Sequence, residues 1–136
     1  MADSNKPTVM IVDDSADIRA MLRHWLEGSG CRVVEAADGK QAVALARRAR
    51  PDLILMDLYL PELDGAVAVA RIREQQGMES VSIVAISAYG DAGIGAQLSS
   101  DPQAAGFDDY IKKPFGAEKI DELLKKYLRK SQGHAR

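Results

Sequence analysis

The sequence predicts a single α/β domain: five strands in a mainly parallel sheet, alternating with five helices. Two observations carry that expectation. Short apolar runs recur along the chain, and their apolar residues are consecutive rather than alternating, which suits strands buried on both faces. Between the runs lie stretches whose apolar residues recur at helical spacing. Right-handed crossovers between parallel strands then place helices on both faces of the sheet. A length of 136 residues suits one compact domain and leaves no room for a second of ordinary size.

Thr8–Val12 is the first apolar run and ends at Asp13-Asp14. From Ala16 to Ser29, Ile18, Met21, Leu22, Trp25 and Leu26 mark one helical face. Asp14 or Ser15 can cap that helix, Asp17 suits the positive end of its dipole, and Gly28 and Gly30 end it. Arg32–Ala36 is the second strand, with Cys31 as a small apolar residue at its start. Asp38-Gly39 is a turn, and Lys40–Ala49 is an alanine-rich helix containing Val43 and Leu45. Pro51-Asp52 breaks the chain before Leu53–Met56, the most buried-looking strand. Asp57–Asp64 is a loop with Pro61, Gly65–Gln75 is helical, and Ser82–Ser87 is the fourth strand.

Ala88–Phe107 is the least regular stretch. Gly90, Gly93, Gly95 and Asp101-Pro102 disfavour a continuous helix there and leave a short or broken one near Ala92–Leu98. Asp109–Lys112 is the fifth strand, and Ala117–Arg129 is an amphipathic helix through Ile120, Leu123, Leu124, Tyr127 and Leu128. The domain is expected over residues 8–130, with a flexible N-terminus at 1–7 and a flexible tail at 131–136.

Composition narrows the function. A formal net charge of -2 supplies no overall drive toward nucleic acid or an anionic membrane. The single cysteine, Cys31, excludes an internal disulfide and a cysteine-based zinc site, and it fits a reducing compartment. No apolar run approaches the roughly 18–20 residues of a membrane helix, and the first residues lack a signal peptide's apolar stretch. The expected location is the cytoplasm.

In open parallel sheets ligands bind beyond the carboxyl ends of the strands. That rule singles out Asp13-Asp14, Asp57, Ser87 and Lys112-Lys113-Pro114, all at strand ends. Carboxylates brought together repel unless a cation neutralises them, and oxygen ligands with room for water suit Mg²⁺, which commonly bridges a phosphate. A lysine and a hydroxyl from other strand ends complete a site for an anion held against a metal. Such equipment serves phosphoryl transfer, where positioning and charge neutralisation supply most of the catalysis.

The sequence here resembles the receiver domains of two-component response regulators, from about Thr8 to Leu128. The resembling segments are Ile11-Val12-Asp13-Asp14, Asp57-Leu58-Tyr59-Leu60-Pro61 with Asp64-Gly65, Ala85-Ile86-Ser87-Ala88, and Gly106 through Phe115. Any one is weak; four in order at the right spacings are specific. The resemblance implies a flavodoxin-like doubly wound sheet of order 2-1-3-4-5. It further implies Asp57 as the nucleophile that takes a phosphoryl group from the phosphohistidine of a sensor histidine kinase or histidine phosphotransfer protein.

By the same resemblance Asp14 binds Mg²⁺ directly, Asp13 helps through water, and Asp57 and the backbone carbonyl of Tyr59 complete the protein ligands; Mn²⁺ can substitute. Ser87 and Lys113 meet the phosphoryl oxygens, Lys113 because it immediately precedes Pro114, with a cis bond between them. Tyr110 matches the aromatic switch position, and the readout face comprises the fourth helix, fifth strand and fifth helix. Ile18 and Met21, ringed by Arg19 and Arg23, either form an apolar docking patch for a histidine-bearing helix bundle or pack in the core. His24 and His134 read as surface residues, Lys112 as solvated, and Trp25 as filling a helix–sheet interface.

Two departures stand out. The segment from Ser87 to Tyr110 exceeds the family pattern by about one helical turn. Tyr59 is bulky beside the phosphoryl position and is expected to alter the lifetime of the phospho-form, which comparison with Tyr59→Asn tests. The expected protein is a stand-alone receiver that is not an enzyme beyond its own phosphotransfer and autodephosphorylation. A receiver-like scaffold without phosphorylation is the alternative. A haloacid dehalogenase-type phosphatase also uses an aspartyl nucleophile, but it places a second aspartate where Tyr59 stands.

Overall fold

The computed structural model describes residues 6–58, 65–87 and 106–133. They form β1 (Thr8–Val12), α1 (Ala16–Gly28), β2 (Arg32–Ala36), α2 (Gly39–Ala49), β3 (Leu53–Asp57), α3 (Gly65–Arg73), β4 (Ser82–Ser87), β5 (Asp109–Lys112) and α4 (Ala117–Gly133). α4 is the helix expected as the fifth. The short or broken helix expected near 92–98 lies outside the described residues, as do Tyr59 and His134. No helix among the described residues is long and apolar enough to cross a membrane.

The five strands are parallel and ordered β2-β1-β3-β4-β5, the flavodoxin-like order. Successive strand residues point to opposite faces, so the sheet builds two cores. Met10, Val12, Ile54, Met56, Ile83 and Ala85 face a core closed by α2 and α3 through Ala42, Ala46, Ala68, Val69 and Ile72. Val9, Ile11, Leu53, Leu55, Val84 and Ile86 face the other, closed by α1 and α4 through Leu22, Leu26, Ile120, Leu123 and Leu128. Full burial of one such leucine stabilises by about 2 kcal/mol, and both faces of β1 and β3 are covered.

Caps fix the helix starts. Ser15 rather than Asp14 caps α1, its Oγ accepting from Ile18 N at 3.2 Å. Asp38 caps α2 by accepting from Gln41 N at 2.8 Å, so that helix begins at Gly39, one residue before the expected Lys40. α3 stops at Arg73, short of the expected Gln75: Gln75 N turns to Ile72 O, three residues back, and Gly77 follows at φ 86°. Arg73 turns its guanidinium to the neighbouring loops. It donates to the carbonyls of Gly106, Glu79 and Val81 and to Asp108 Oδ2. Asp108 Oδ2 also accepts from Ile83 N at 2.8 Å, which ties the entries of β4 and β5 together. α4 runs to Gly133, four residues past the expected Arg129, so residues 131–133 of the expected tail are helical.

Candidate functional site

Parallel strands bring their carboxyl ends to one side of the sheet. The chain leaves β1 toward β2 on one side and returns to β3 on the other, which opens a crevice above β1 and β3. Register then sets the height of each group. Val12 pairs with Met56, Asp57 with Ile86 and Ser87 with Lys112, so Asp13 and Asp57 emerge side by side, with Ser87 one residue and Lys113 two residues further along. Backbone bonds continue the ladder past the strands: Leu58 N donates to Ile86 O at 3.0 Å, and Lys113 N to Ser87 O at 2.7 Å.

Asp13, Asp57 and Ser87 are buried, whereas Asp14 is exposed. One carboxylate oxygen from each of Asp13, Asp14 and Asp57 lies within 4.8 Å of the others. Lys113 Nζ donates to Asp13 Oδ2 at 3.1 Å and stands 3.5 Å from Asp57 Oδ2. Burial alone would lower the Lys113 pKa. The hydrogen bond to Asp13 and the charges of Asp57 and Asp13 outweigh burial and hold the ammonium above its ordinary 10.5. Three carboxylates against one ammonium leave excess negative charge in a partly buried crevice, and the donors are all oxygen. That set fits a hard divalent cation such as Mg²⁺.

The peptide between Lys113 and Pro114 is cis. Lys112 is exposed. Tyr110 is half-buried on the edge strand β5 and packs against the core closed by α2 and α3. Tyr110, Ile111, Lys112, Pro114, Phe115 and Lys119 line an open groove of ≈ 490 Å³ beside that edge. Tyr127 of α4 donates its hydroxyl to Asp109 Oδ2 at 2.9 Å, and Lys126 donates to the same oxygen at 3.2 Å, so α4 is fastened to the start of β5.

Ile18 and Met21 are half-buried and pack against the core under α1, as does Trp25, while His24 is exposed. Among the described residues the one large hydrophobic side chain counted as exposed is Val67, at 41%. The structure therefore brings Asp13, Asp14, Asp57 and Lys113 together, sets Ser87 at the adjoining strand end, and leaves Tyr110, Ile18 and Met21 outside that cluster.

Two contacts of the site had no signal in the residue pattern. Arg19 Nη1 donates to the Asp13 carbonyl at 2.7 Å, a bond to backbone that residue identity does not advertise. Gly65 opens α3 against the end of β3: a Cβ there would lie 3.0 Å from the Asp57 carbonyl oxygen. Its presence beside Asp64 was visible in the sequence; its close approach to Asp57 was not.

A probable transcriptional regulator, ycf27, of Porphyridium aerugineum is 32% identical over 125 residues, covering 92% of this chain and 49% of the relative. The chain thus spans about half that relative's length. The polar-differentiation response regulator DivK of Brucella anthropi is 31% identical over 121 residues, covering 89% of this chain and 95% of the relative. The receiver domain of the sensor histidine kinase PA1611 from Pseudomonas aeruginosa superposes with a TM-score of 0.77 at 34% identity, covering 90% of this chain and 97% of that one. Its structure holds a magnesium ion in the active-site cleft. The family model for the response regulator receiver domain matches residues 9–125, a span that begins in β1 and ends in α4. The chain belongs to the response regulator receiver domain family.

Proposed function

We propose that Asp57 accepts a phosphoryl group from the phosphohistidine of a sensor histidine kinase or histidine phosphotransfer protein. The observation that carries this reading is the pairing of buried Asp57 with the Lys113 ammonium at 3.5 Å, beside Asp13 and Asp14. An Asp57 carboxylate oxygen attacks phosphorus; the O–P bond forms as the P–N bond breaks, and the imidazole departs with the electron pair. Lys113 already stands close enough to Asp57 to neutralise a phosphoryl oxygen after transfer. Ser87, at the end of the adjacent strand, donates its hydroxyl to another.

Asp13, Asp14, Asp57 and the Tyr59 carbonyl would hold Mg²⁺, whose charge offsets that of the carboxylates and the incoming phosphoryl oxygens. The magnesium ion in the PA1611 receiver domain supports this assignment.

Phosphorylation adds roughly -1.5 to -2 charge units at the crevice. Ser87 and Lys113 move to meet that charge, and Tyr110 turns inward from the sheet edge. The populations of two existing states shift, and the face around β5 and α4 is read by a partner protein or the phosphoryl group is relayed onward. Ile18 and Met21 lie on the α1 face that would receive the donor's helix bundle. The setting is the cytoplasm.

Incubation with Mg²⁺ and acetyl phosphate, followed by intact mass, tests the reading. One added phosphoryl group that is absent from Asp57→Ala is expected. No adduct with any phosphodonor would leave the scaffold alternative, and turnover of an external phosphate ester would favour a phosphatase.

A further inference from the structure

Asp13 is held at every hydrogen-bonding atom it possesses. Its N–H donates to Ala36 O at 3.1 Å, and its carbonyl accepts from Arg19 Nη1 at 2.7 Å. Its Oδ1 accepts from Ser15 N at 2.9 Å and its Oδ2 from Lys113 Nζ at 3.1 Å. Asp14 is the opposite case. It is exposed, and among the described residues its carboxylate has neither a hydrogen bond nor an ion pair. Yet one of its oxygens stays within 4.8 Å of those of Asp13 and Asp57.

Among the described residues no side chain aims Asp14, which leaves that task to the backbone. The peptide joining Asp13 to Asp14 is planar, so its carbonyl and the Asp14 N–Cα bond turn together. By gripping the Asp13 carbonyl, Arg19 fixes the plane from which the Asp14 side chain departs. Arg19 is itself braced: its Nε donates to Glu35 Oε1 on β2 at 2.9 Å, with both side chains largely covered. Glu35 also accepts from Arg23 Nε at 2.6 Å through its second oxygen. Arg23 spends its other donors on Glu27 and the Val33 carbonyl.

We infer that Arg19, braced by Glu35, is a positioning residue for the divalent cation, orienting Asp14 through the Asp13–Asp14 peptide. The inference rests on the reading of the crevice as a Mg²⁺-dependent phosphoryl acceptor. It assigns α1 and β2 a part in setting the acidic pocket, beyond the strand ends that carry the carboxylates.

Calorimetric Mg²⁺ titration and thermal unfolding of the metal-free full chain test it together. Arg19→Gln is expected to weaken Mg²⁺ binding about tenfold, as loss of a group behind a metal ligand does. Arg19→Lys keeps one donor for the carbonyl and is expected to recover part of the loss. Arg23→Gln removes a partner of the same Glu35 and is expected to lower Tm while leaving Mg²⁺ affinity at the wild-type value. Should Arg19→Gln fail to fold, Glu35→Gln leaves Arg19 present with a neutral, weaker brace, and an intermediate loss of affinity is expected.

Wild-type affinity in Arg19→Gln, or in Glu35→Gln where that is the variant measured, overturns the inference and leaves the phosphoryl-acceptor reading standing. An equal loss in Arg23→Gln also overturns it, since the network would then act only through general stability. A wild-type chain that binds no Mg²⁺ and takes no phosphoryl group overturns the reading and the inference with it.

Discussion

Trp25 of α1 meets Phe115 edge-on, with ring centroids 6.3 Å apart and planes at 65°. Phe115 stands two residues after Lys113, so the ring environment of the chain's one tryptophan is tied to the segment that carries the site's ammonium. Edge-to-face aromatic pairs are worth about 1 kcal/mol beyond their buried area. Mg²⁺ with acetyl phosphate is expected to change Trp25 emission, and Phe115→Leu is expected to abolish most of that change while Asp57 still takes phosphate. A full change in Phe115→Leu would separate Trp25 from the Lys113 segment.

Gly65→Ala is expected to cost about 1–3 kcal/mol, because the new methyl presses on backbone rather than on a flexible side chain. The atoms it meets are the Asp57 carbonyl oxygen at 3.0 Å and Leu58 Cα and O at 3.2 Å. Urea unfolding measures the loss. Acetyl phosphate labelling of the same variant should slow, since the end of β3 has to move; unchanged stability would show that α3 shifts instead.

Arg73→Ala strips donors from three carbonyls and a carboxylate at the amino ends of β4 and β5. A destabilisation of about 3 kcal/mol is expected, in the range for losing hydrogen bonds to a charged group. Mg²⁺ affinity should stay put, because Arg73 lies at the opposite end of the strands from Asp57. Weaker Mg²⁺ binding in this variant would mean that the two sheet ends are coupled.

Glu35 titrates below its ordinary 4.5 because of its hydrogen bond from Arg23, which burial opposes and Arg19 reinforces. A carboxyl whose folded pKa is depressed stabilises the fold above its unfolded value, and that stabilisation is lost as pH falls through the folded one. Urea unfolding below about pH 5 should therefore show a shallower acid limb in Glu35→Gln than in the parent. Parallel limbs would count against any stabilising role for this pairing.

The strands and the site's strand-end residues were legible because burial on both faces leaves its mark on consecutive residues. Leu53–Met56 ran straight into Asp57, and the register did the rest. What escaped notice was made by long side chains reaching backbone. Nothing in the residue pattern marks the bonds of Arg19 or Arg73, since a carbonyl acceptor has no sequence identity of its own. The end of α4 was also missed: Lys130-Ser131-Gln132 lacks the apolar spacing that marks the helix before it, yet the backbone stays helical to Gly133. Phe107 closed the least regular stretch of the sequence but is fully buried, for packing beneath α3 is set by tertiary contact rather than by local pattern.

Because the sheet is covered on both faces, neighbours along β5 belong to different halves of the molecule. Tyr110 leans on the half under α2 and α3, whereas Ile111 and Phe115 lean on the half under α1 and α4. The sheet acts as a partition wall. A void carved under α1 should therefore reach Ile111 and Phe115 first and a void under α3 should reach Tyr110 first, so the two faces of one short strand can be loosened separately.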